Sequence, residues 1–304
     1  MGNALENLSN ELAGIVQAVN PHVVSVKARR HYPSSGLLWG AHVVVTADHT
    51  IHRDEDIAVT LPDGKTAGAR LVGRDPGTDL AVLKIEGAGS AGAEPKKADS
   101  VQAGELALVV GRSPDSGVNA SLGIVSATSG PWRTWRGGQL DAYVRLDAKL
   151  FPQSSGGAVV NVRGEIVGIA TSALSRIAGL AIPASTVKRV TEELLEKGFV
   201  PRGYLGLAVQ PVPFSEELRK KIPIPNKSGL IVLTVEPNGP ADKAGVLIGD
   251  VVVGMGDVAI EQTDDLQAYS DSGVIGKAVS IKFLRAGVPK EATLTVGERP
   301  GRRA

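Results

Sequence analysis

Short β-rich runs, each bounded by turn residues, recur between residues 19 and 183 of this 304-residue chain and constrain its fold most. They form two series on either side of an Ala/Gly-rich stretch at 87–93, which we expect to be a surface connector. Aromatic residues make up only 4% of the chain, whereas glycine occurs 37 times and proline 18 times. This composition suits aliphatic strands joined by tight turns. The sequence therefore predicts a mainly β fold.

The strand and helix signals divide the chain into domains. The predicted strands of the first series are 23–26, 43–46, 57–61, 69–72 and 80–85, and those of the second are 106–110, 123–127, 143–146, 158–160, 166–170 and 180–182. We expect two six-stranded barrels, at about 19–93 and 94–183, together with helices at 1–18 and 185–197. Ser185 is the expected cap of the second helix and Gly198 its end. A further domain is predicted at 203–298, followed by a tail at 299–304 to which we assign no function.

Composition and charge exclude several classes of protein. The net charge is +1, which gives no electrostatic reason to expect nucleic acid as a partner. The chain has no cysteine and therefore neither a disulfide nor a thiolate metal site, and we expect no metal and no cofactor. The start of the chain lacks the pattern of a signal peptide, and no run is long and apolar enough for a membrane span.

A serine followed by two glycines is the first indication of chemistry. Ser155 lies in the phrase Phe-Pro-Gln-Ser-Ser-Gly-Gly-Ala at 151–158. A serine hydroxyl needs a histidine to accept its proton and an acid to orient that histidine. His49 follows the apolar run 43–46, and Asp79 directly precedes the run 80–85. Because a buried aspartate needs hydrogen bonds, pairing with an imidazole would explain the position of Asp79, although a turn or strand cap is the alternative.

The order His, Asp, Ser and the surrounding phrases resemble the HtrA/DegP family of PDZ-containing, trypsin-like serine proteases. The resembling phrases are Asp-Pro-Gly-Thr-Asp-Leu-Ala-Val-Leu-Lys-Ile at 75–85, Ser-Gly-Gly at 155–157, Gly-Leu-Ala-Ile-Pro at 179–183 and Arg-Gly-Tyr-Leu-Gly at 202–206. The resemblance implies a protease domain at 19–198 and a catalytic triad of His49, Asp79 and Ser155 between two barrels. It also implies an oxyanion hole in the segment Gln153, Ser154 and Ser155.

Two residues depart from the family pattern. Gln153 occupies the place of the usual oxyanion-hole glycine, where positive φ would strain a residue that bears Cβ. If the free loop collapses, activity would need a ligand to shift its population. Asp48 replaces an asparagine next to His49. It either points to solvent or competes with Asp79 for the imidazole.

The resemblance also implies that 203–298 is a β-rich PDZ domain with short helices. Such a domain binds an extended peptide as an added strand. The residues implied in peptide binding are Tyr204, Leu205, Gly206 and Leu207 in the carboxylate loop, with Leu266 and Tyr269 on a helix that Thr263 caps. The stretch 129–139, which contains two tryptophans, is either a regulatory or partner-contact loop or a surface loop packed on itself.

The predicted function is that of a serine endopeptidase acting on unfolded or misfolded proteins, with C-terminal peptides bound at the PDZ groove. One alternative is a catalytically impaired peptide-binding, chaperone or scaffold protein, because of Gln153. A second alternative is regulatory binding alone, with the barrels as a β-sandwich-like structural unit and the Ser-Gly-Gly phrase at 155–157 as a mere turn. It leaves the contexts of His49 and Asp79 unexplained. The resemblance further implies a homo-oligomer, a trimer or larger, in the cell envelope or periplasm.

Overall fold

The structure is a computed structural model that describes residues 3–30, 32–86, 101–221, 224–270 and 272–299. The chain divides into two compact units, Met1–Val200 and Pro201–Ala304, which are described separately. The predicted connector at 87–93 and residues 300–304 of the predicted tail lie outside the described residues.

The first unit begins with an amphipathic helix and a closed barrel. Helix α1 spans Ala4–Val19, and a 3₁₀ turn at Asn20–His22 contains the proline that prevents its continuation. The barrel has the strand order β1-β2-β3-β6-β5-β4. Its strands are β1 (Val23–Lys27), β2 (Ser34–Leu38), β3 (Val43–Ala47), β4 (Ile57–Thr60), β5 (Thr66–Asp75) and β6 (Leu80–Ile85).

Strand β2 is the one strand of this barrel that the sequence patterns did not predict. Its residues Ser34, Ser35 and Gly36 have turn chemistry, yet every residue of the strand is buried. Gly36 is required because a Cβ there would come within 2.6 Å of Val44 Cγ1. The local composition is thus typical of a turn, whereas barrel closure places a strand here.

The second barrel follows the same plan, so the prediction of two six-stranded barrels is confirmed. Its strand order is β11-β14-β13-β12-β7-β8. Its strands are β7 (Leu106–Ser113), β8 (Gly117–Ser129), β11 (Tyr143–Asp147), β12 (Ala158–Asn161), β13 (Ile166–Thr171) and β14 (Gly179–Pro183). The alternative of a β-sandwich-like unit is wrong, because both sheets close on themselves.

Two further elements complete the first unit. Helix α2 (Ala184–Lys197) begins one residue earlier than expected, at an N-cap position occupied by Pro183 without a side-chain cap, so Ser185 is not its cap. Gly198 ends the helix in the left-handed conformation, with φ of 79°. A core shared by both barrels and α2 includes Val45, Leu80, Val110, Ile169 and Leu194.

Strands β9 (Trp132–Arg133) and β10 (Gln139–Leu140) form a hairpin within the tryptophan-containing stretch at 129–139. The Thr134 side chain is buried and donates to the carbonyl oxygen of Gly77 at 2.7 Å. A Cβ on Gly138 would lie 2.1 Å from the carbonyl carbon of Gly77. The hairpin therefore packs against the turn that precedes Asp79.

The second unit is β-rich with short helices. A sheet of order β16-β17-β18-β20-β21 carries β19 beside β18, and β15 pairs with β22. The strands are β15 (Gly203–Tyr204), β16 (Leu207–Pro213), β17 (Ser228–Val235), β18 (Val251–Met255), β19 (Val258–Ala259), β20 (Ala278–Arg285), β21 (Val288–Thr295) and β22 (Gly297–Glu298). The helices are α3 (Glu216–Lys221) and α4 (Pro240–Lys243), with 3₁₀ segments at Thr263–Ser270 and Ser272–Val274.

None of the helices in the described ranges is both long and apolar enough to cross a bilayer.

Candidate active site

His49 lies at the end of β3, where a single 3₁₀ turn at Asp48–Thr50 follows the strand. The turn is fixed by the Thr50 hydroxyl, which donates to the carbonyl oxygen of Ala47 at 2.7 Å. The backbone amide of His49 donates to Asp79 Oδ1 at 2.9 Å. The imidazole keeps 22% of its surface exposed. The strand end thus presents a partly accessible histidine whose backbone is bonded to the predicted acid.

Asp79 is fully buried at the start of β6, with φ of 59°. Aspartate is among the residues that tolerate this left-handed region best. His49 Nδ1 lies 2.8 Å from Asp79 Oδ2 and 3.1 Å from Oδ1, and the Thr171 hydroxyl donates to Oδ2 at 2.5 Å. These donors compensate the buried carboxylate. A carboxylate that accepts the Nδ1 proton leaves Nε2 as the basic nitrogen.

Asp48 pairs with Arg74. Its Oδ1 accepts from Arg74 Nε at 2.5 Å, and another nitrogen of the same guanidinium donates to the carbonyl oxygen of Ile51 at 3.1 Å. Burial raises the pKa of the Asp48 carboxyl, and the bond to Arg74 opposes that rise. Of the two orientations that the sequence left open, the structure has neither, because the carboxylate is held in a buried ion pair.

Ser155 lies in a loop made of two successive turns. The Ser154 amide donates to the carbonyl oxygen of Phe151 at 2.8 Å, and the Gly157 amide donates to that of Ser154 at 2.9 Å. The Ser155 hydroxyl is 3.3 Å from the Ser172 hydroxyl. Within the described residues it makes no hydrogen bond with His49. The structure therefore brings His49 and Asp79 together, whereas the hydroxyl of Ser155 is bonded to Ser172.

The oxyanion-hole residues differ in how their amides are used. The Ser154 amide is taken by Phe151, whereas the amides of Gln153 and Ser155 donate to no acceptor in the described part of the chain. Gln153 does not have positive φ. Gln153 thus lacks the strained backbone that was expected if it adopted the conformation of the usual oxyanion-hole glycine.

Sequence reasoning missed Ser35 on β2. Its amide donates to the carbonyl oxygen of Ser155 at 3.1 Å, and its hydroxyl donates to that of Gln153 at 2.6 Å. The same hydroxyl accepts from the Arg112 amide at 2.9 Å. Its neighbour Gly36 belongs to a phrase that reads as a turn, so no strand periodicity marked this position. Ser35 joins the first barrel directly to the nucleophile loop.

The predicted peptide-binding residues lie in the second unit. Strand β16 pairs only with β17 among the described strands, so its other edge is open. The carbonyl oxygens of Leu205 and Gly206 accept from the amides of Ala241 and Glu236, whereas their own amides donate to no acceptor within the described residues. Gly206 has φ of 74°, as a tight loop requires.

The segment predicted to flank this groove is the 3₁₀ helix at Thr263–Ser270, which packs beside β15 and β16. Leu266 and Tyr269 are both 8% exposed and belong to a core cluster that Leu207 also contacts. The Tyr269 hydroxyl donates to the carbonyl oxygen of Met255 at 2.5 Å. Asp265, rather than Thr263, accepts the amides of Glu261 and Gln262 at the start of the helix. Tyr204 pairs with Gly297 through β15 and β22.

Comparisons with known proteins agree with this architecture. The model of a trypsin-like peptidase domain matches residues 34–169, and that of a PDZ domain matches 203–296. A probable periplasmic serine endoprotease, DegP-like, of Brucella suis biovar 1 is 31% identical over 271 residues, covering 84% of this chain and 50% of the relative. The DegP-like protein of Bartonella henselae is 32% identical over 270 residues, covering 84% and 51%. The chain thus spans about half the length of these curated relatives.

Solved structures are similar over almost the whole chain. The HtrA-type protease AlgW with decapeptide has a TM-score of 0.75 and 28% identity, covering 95% of this chain and 99% of that one. The serine endoprotease from Yersinia pestis has a TM-score of 0.74 and 27% identity, with coverage of 96% and 98%.

Proposed function

Because the chain belongs to the HtrA/DegP-like group, with a trypsin-like peptidase domain and one PDZ domain, we propose that it is a serine endopeptidase. The observation that carries the proposal is the buried Asp79 carboxylate, which accepts both the side chain and the backbone amide of His49. The curated relatives are named serine endoproteases, which favours this function over an impaired protease.

The geometry supports hydrolysis through an acyl-enzyme. Ser155 Oγ attacks the scissile carbonyl carbon while His49 Nε2 takes the hydroxyl proton, and Asp79 holds the imidazole and stabilises its charged form. The amides of Ser155 and Gln153 are the candidate donors to the oxyanion. Collapse of the tetrahedral intermediate transfers the proton to the leaving amine. Water, activated by His49, then releases the second product and restores Ser155.

We assign unfolded and misfolded proteins as the substrates and a C-terminal peptide as the ligand of the second unit. The open edge of β16 offers a backbone on which a peptide strand can pair. The unpaired amides of Leu205 and Gly206 suit a terminal carboxylate. Fluorescence anisotropy tests the assignment of the ligand: an apolar peptide should bind with a free carboxylate and at least tenfold more weakly when its C-terminus is amidated. Equal binding would refute carboxylate recognition.

We further propose that the chain forms a homo-oligomer, a trimer by family resemblance, in the cell envelope or periplasm. Leu106 pairs with Ile124 across β7 and β8, and Leu122 shares the face of Ile124. All three side chains are exposed and form an apolar patch on the second barrel. Sedimentation should show an assembly that Ile124→Lys dissociates, and a monomeric wild-type protein would contradict this proposal.

Labelling with a fluorophosphonate tests the enzymatic function. The reagent requires an activated serine, so the wild-type chain should form a covalent adduct that Ser155→Ala abolishes. Ser116→Ala, on an exposed turn, is the matched control and should label like the wild type. An adduct that persists in Ser155→Ala, or no adduct in any folded variant, would refute the proposed endopeptidase.

A further inference from the structure

The segment Phe151, Pro152, Gln153 and Ser154 forms a turn closed by the bond from the Ser154 amide to the carbonyl oxygen of Phe151. Proline at the second position suits both type I and type II turns. A type II turn requires positive φ at the third position, and Gln153 does not have it. The turn is therefore of the type I kind.

The next turn in the same loop has the other geometry. Ser154, Ser155, Gly156 and Gly157 form a turn closed from the Gly157 amide to the carbonyl oxygen of Ser154. Gly156, at its third position, has φ of 86°, as type II requires. Two adjacent turns thus differ because one has glycine at the third position and the other has glutamine.

Type I and type II turns share their end residues and their closing bond, and they differ mainly in the orientation of the central peptide. In the first turn this is the peptide between Pro152 and Gln153. The bond from the Ser35 hydroxyl to the carbonyl oxygen of Gln153 lies on the following peptide, as does the bond from the Ser154 amide. Both bonds are therefore compatible with either orientation of the central peptide.

Arg29 contacts the central peptide directly. Its Nη2 donates to the carbonyl oxygen of Pro152 at 2.9 Å. The guanidinium is fixed by its own loop, because Nε donates to the carbonyl oxygen of Tyr32 at 2.5 Å and Nη2 also lies 3.3 Å from that of Pro33. No other hydrogen bond to this peptide exists among the described residues.

A planar trans peptide points its carbonyl oxygen and its amide to opposite sides. Turning the central peptide to the type II orientation would direct the Pro152 oxygen away from Arg29 and carry the Gln153 amide to the opposite side of the turn. In related proteases a glycine at this position turns the same amide toward the oxyanion. The bond from Arg29 consequently stabilises the orientation that withholds this donor.

We propose that Arg29 is a positioning residue that holds the peptide between Pro152 and Gln153 in a resting orientation and so sets how often the oxyanion hole is complete. The inference rests on the proposed endopeptidase function. Substrate binding at the loop would compete with this one contact. Ser35 keeps the rest of the loop in place during the change.

The test compares fluorophosphonate labelling rates of the full chain and its variants. Arg29→Ala should label about three- to tenfold faster than wild type, the effect of losing one exposed hydrogen bond. Arg30→Ala is the matched control, because it removes the same charge from an exposed neighbour and should leave the rate unchanged. Gln153→Gly should also label faster, by about five- to thirtyfold, because the penalty of positive φ disappears.

The double variant distinguishes a positioning role from general loosening of the loop. In Gln153→Gly, the glycine already favours the type II orientation of the central peptide. Adding Arg29→Ala to this variant should therefore change the labelling rate by less than about twofold. An Arg29→Ala rate at or below that of Arg30→Ala would overturn the inference while Ser155-dependent labelling upheld the enzyme. The inference would also be overturned if Arg29→Ala changed the labelling rate by the same factor in the wild type and in Gln153→Gly. No labelling in any variant, Gln153→Gly included, would refute both the inference and the proposed function.

Discussion

The two halves of the proposed site, the pair of His49 and Asp79 (the acid and base half) and the loop of Ser155 (the nucleophile half), are held in different ways. Asp79 accepts from the ring and backbone nitrogens of His49 and from the Thr171 hydroxyl, and it is completely buried. Among the described residues, the Ser155 hydroxyl has one hydrogen bond, of 3.3 Å, with the hydroxyl of Ser172. A buried charge must be satisfied by several donors, which fixes its geometry. A neutral hydroxyl on a loop has no such requirement, so its geometry depends on how neighbouring groups hold the backbone.

The contrast assigns different tasks to the two barrels. The first barrel presents His49 and Asp79 at its strand ends, and the second barrel adds the bond from the Thr171 hydroxyl to Asp79. The first barrel also reaches across to the second barrel, where Ser35 bonds the carbonyl oxygens of Gln153 and Ser155. The state of the nucleophile loop is therefore determined partly by residues of the barrel that carries the base.

The largest expected effect is on the acid and base half. Asp79→Asn should lower kcat/KM by about 10⁴-fold, because an amide favours the wrong imidazole tautomer. The rate is measured with an internally quenched peptide, and near-unchanged circular dichroism would show that the fold persists. Asp63→Asn, in an exposed turn, is the control and should retain full activity. A loss below tenfold in Asp79→Asn would mean that this half does not limit catalysis.

A smaller effect is expected on the nucleophile half. A Cβ on Gly156 would lie 2.1 Å from the carbonyl oxygen of Ser35, so Gly156→Ala must displace the loop. A displacement of this order costs about 10²-fold in rate. Gly164→Ala is the matched control, because Gly164 has a similar φ of 73° but no atom within 4 Å of its Cβ position. Equal labelling rates of the two alanine variants would show that contact with Ser35 does not position the nucleophile.

The sequence allowed prediction of the regular parts of this molecule. Two series of β-rich runs predicted two barrels, and the strand following Asp79 predicted its burial. These features depend on hydrophobic periodicity, which is written locally in the chain. The sequence also shows that Asp48 adjoins His49. Its ion pair with Arg74 could not be predicted, because the pair depends on which strand ends meet in the barrel.

The features that could not be predicted concern backbone groups in the nucleophile loop. Strand β2 was not predicted because Ser34, Ser35 and Gly36 have the composition of a turn, although all three are buried in the barrel. The sign of φ at Gln153 could not be predicted from the sequence, because the free-energy cost of positive φ is similar to that of one lost hydrogen bond. Contacts from Arg29 and Ser35 decide such a balance, and they arise only from the tertiary fold.

The smallest of these effects concerns stability around the acid and base half. Arg74→Met leaves the buried Asp48 carboxylate unpaired. It should lower the free energy of unfolding, measured by urea denaturation, by about 2 kcal/mol, less than for a fully buried pair because the Arg74 side chain is 35% exposed. Adding Asp48→Asn to Arg74→Met should restore part of the lost unfolding free energy, because no unpaired charge then remains buried. Arg70→Met, on the same strand, makes none of the resolved ion pairs and serves as the control. Similar losses in both arginine variants would contradict a specific role for the pair.

The pH dependence of the same carboxyl sharpens this test. Burial raises the pKa of Asp48 in the folded chain, with Arg74 opposing the rise, so the folded state holds this proton more tightly than the unfolded state. The contribution of Asp48 to stability is therefore present below its ordinary titration range and falls as pH rises through the raised folded pKa. The difference in unfolding free energy between wild type and Asp48→Asn should decrease with pH across that window. In Arg74→Met the opposing contact is lost, so the decrease should extend to higher pH, and identical profiles in both backgrounds would show that Arg74 does not act on this carboxyl.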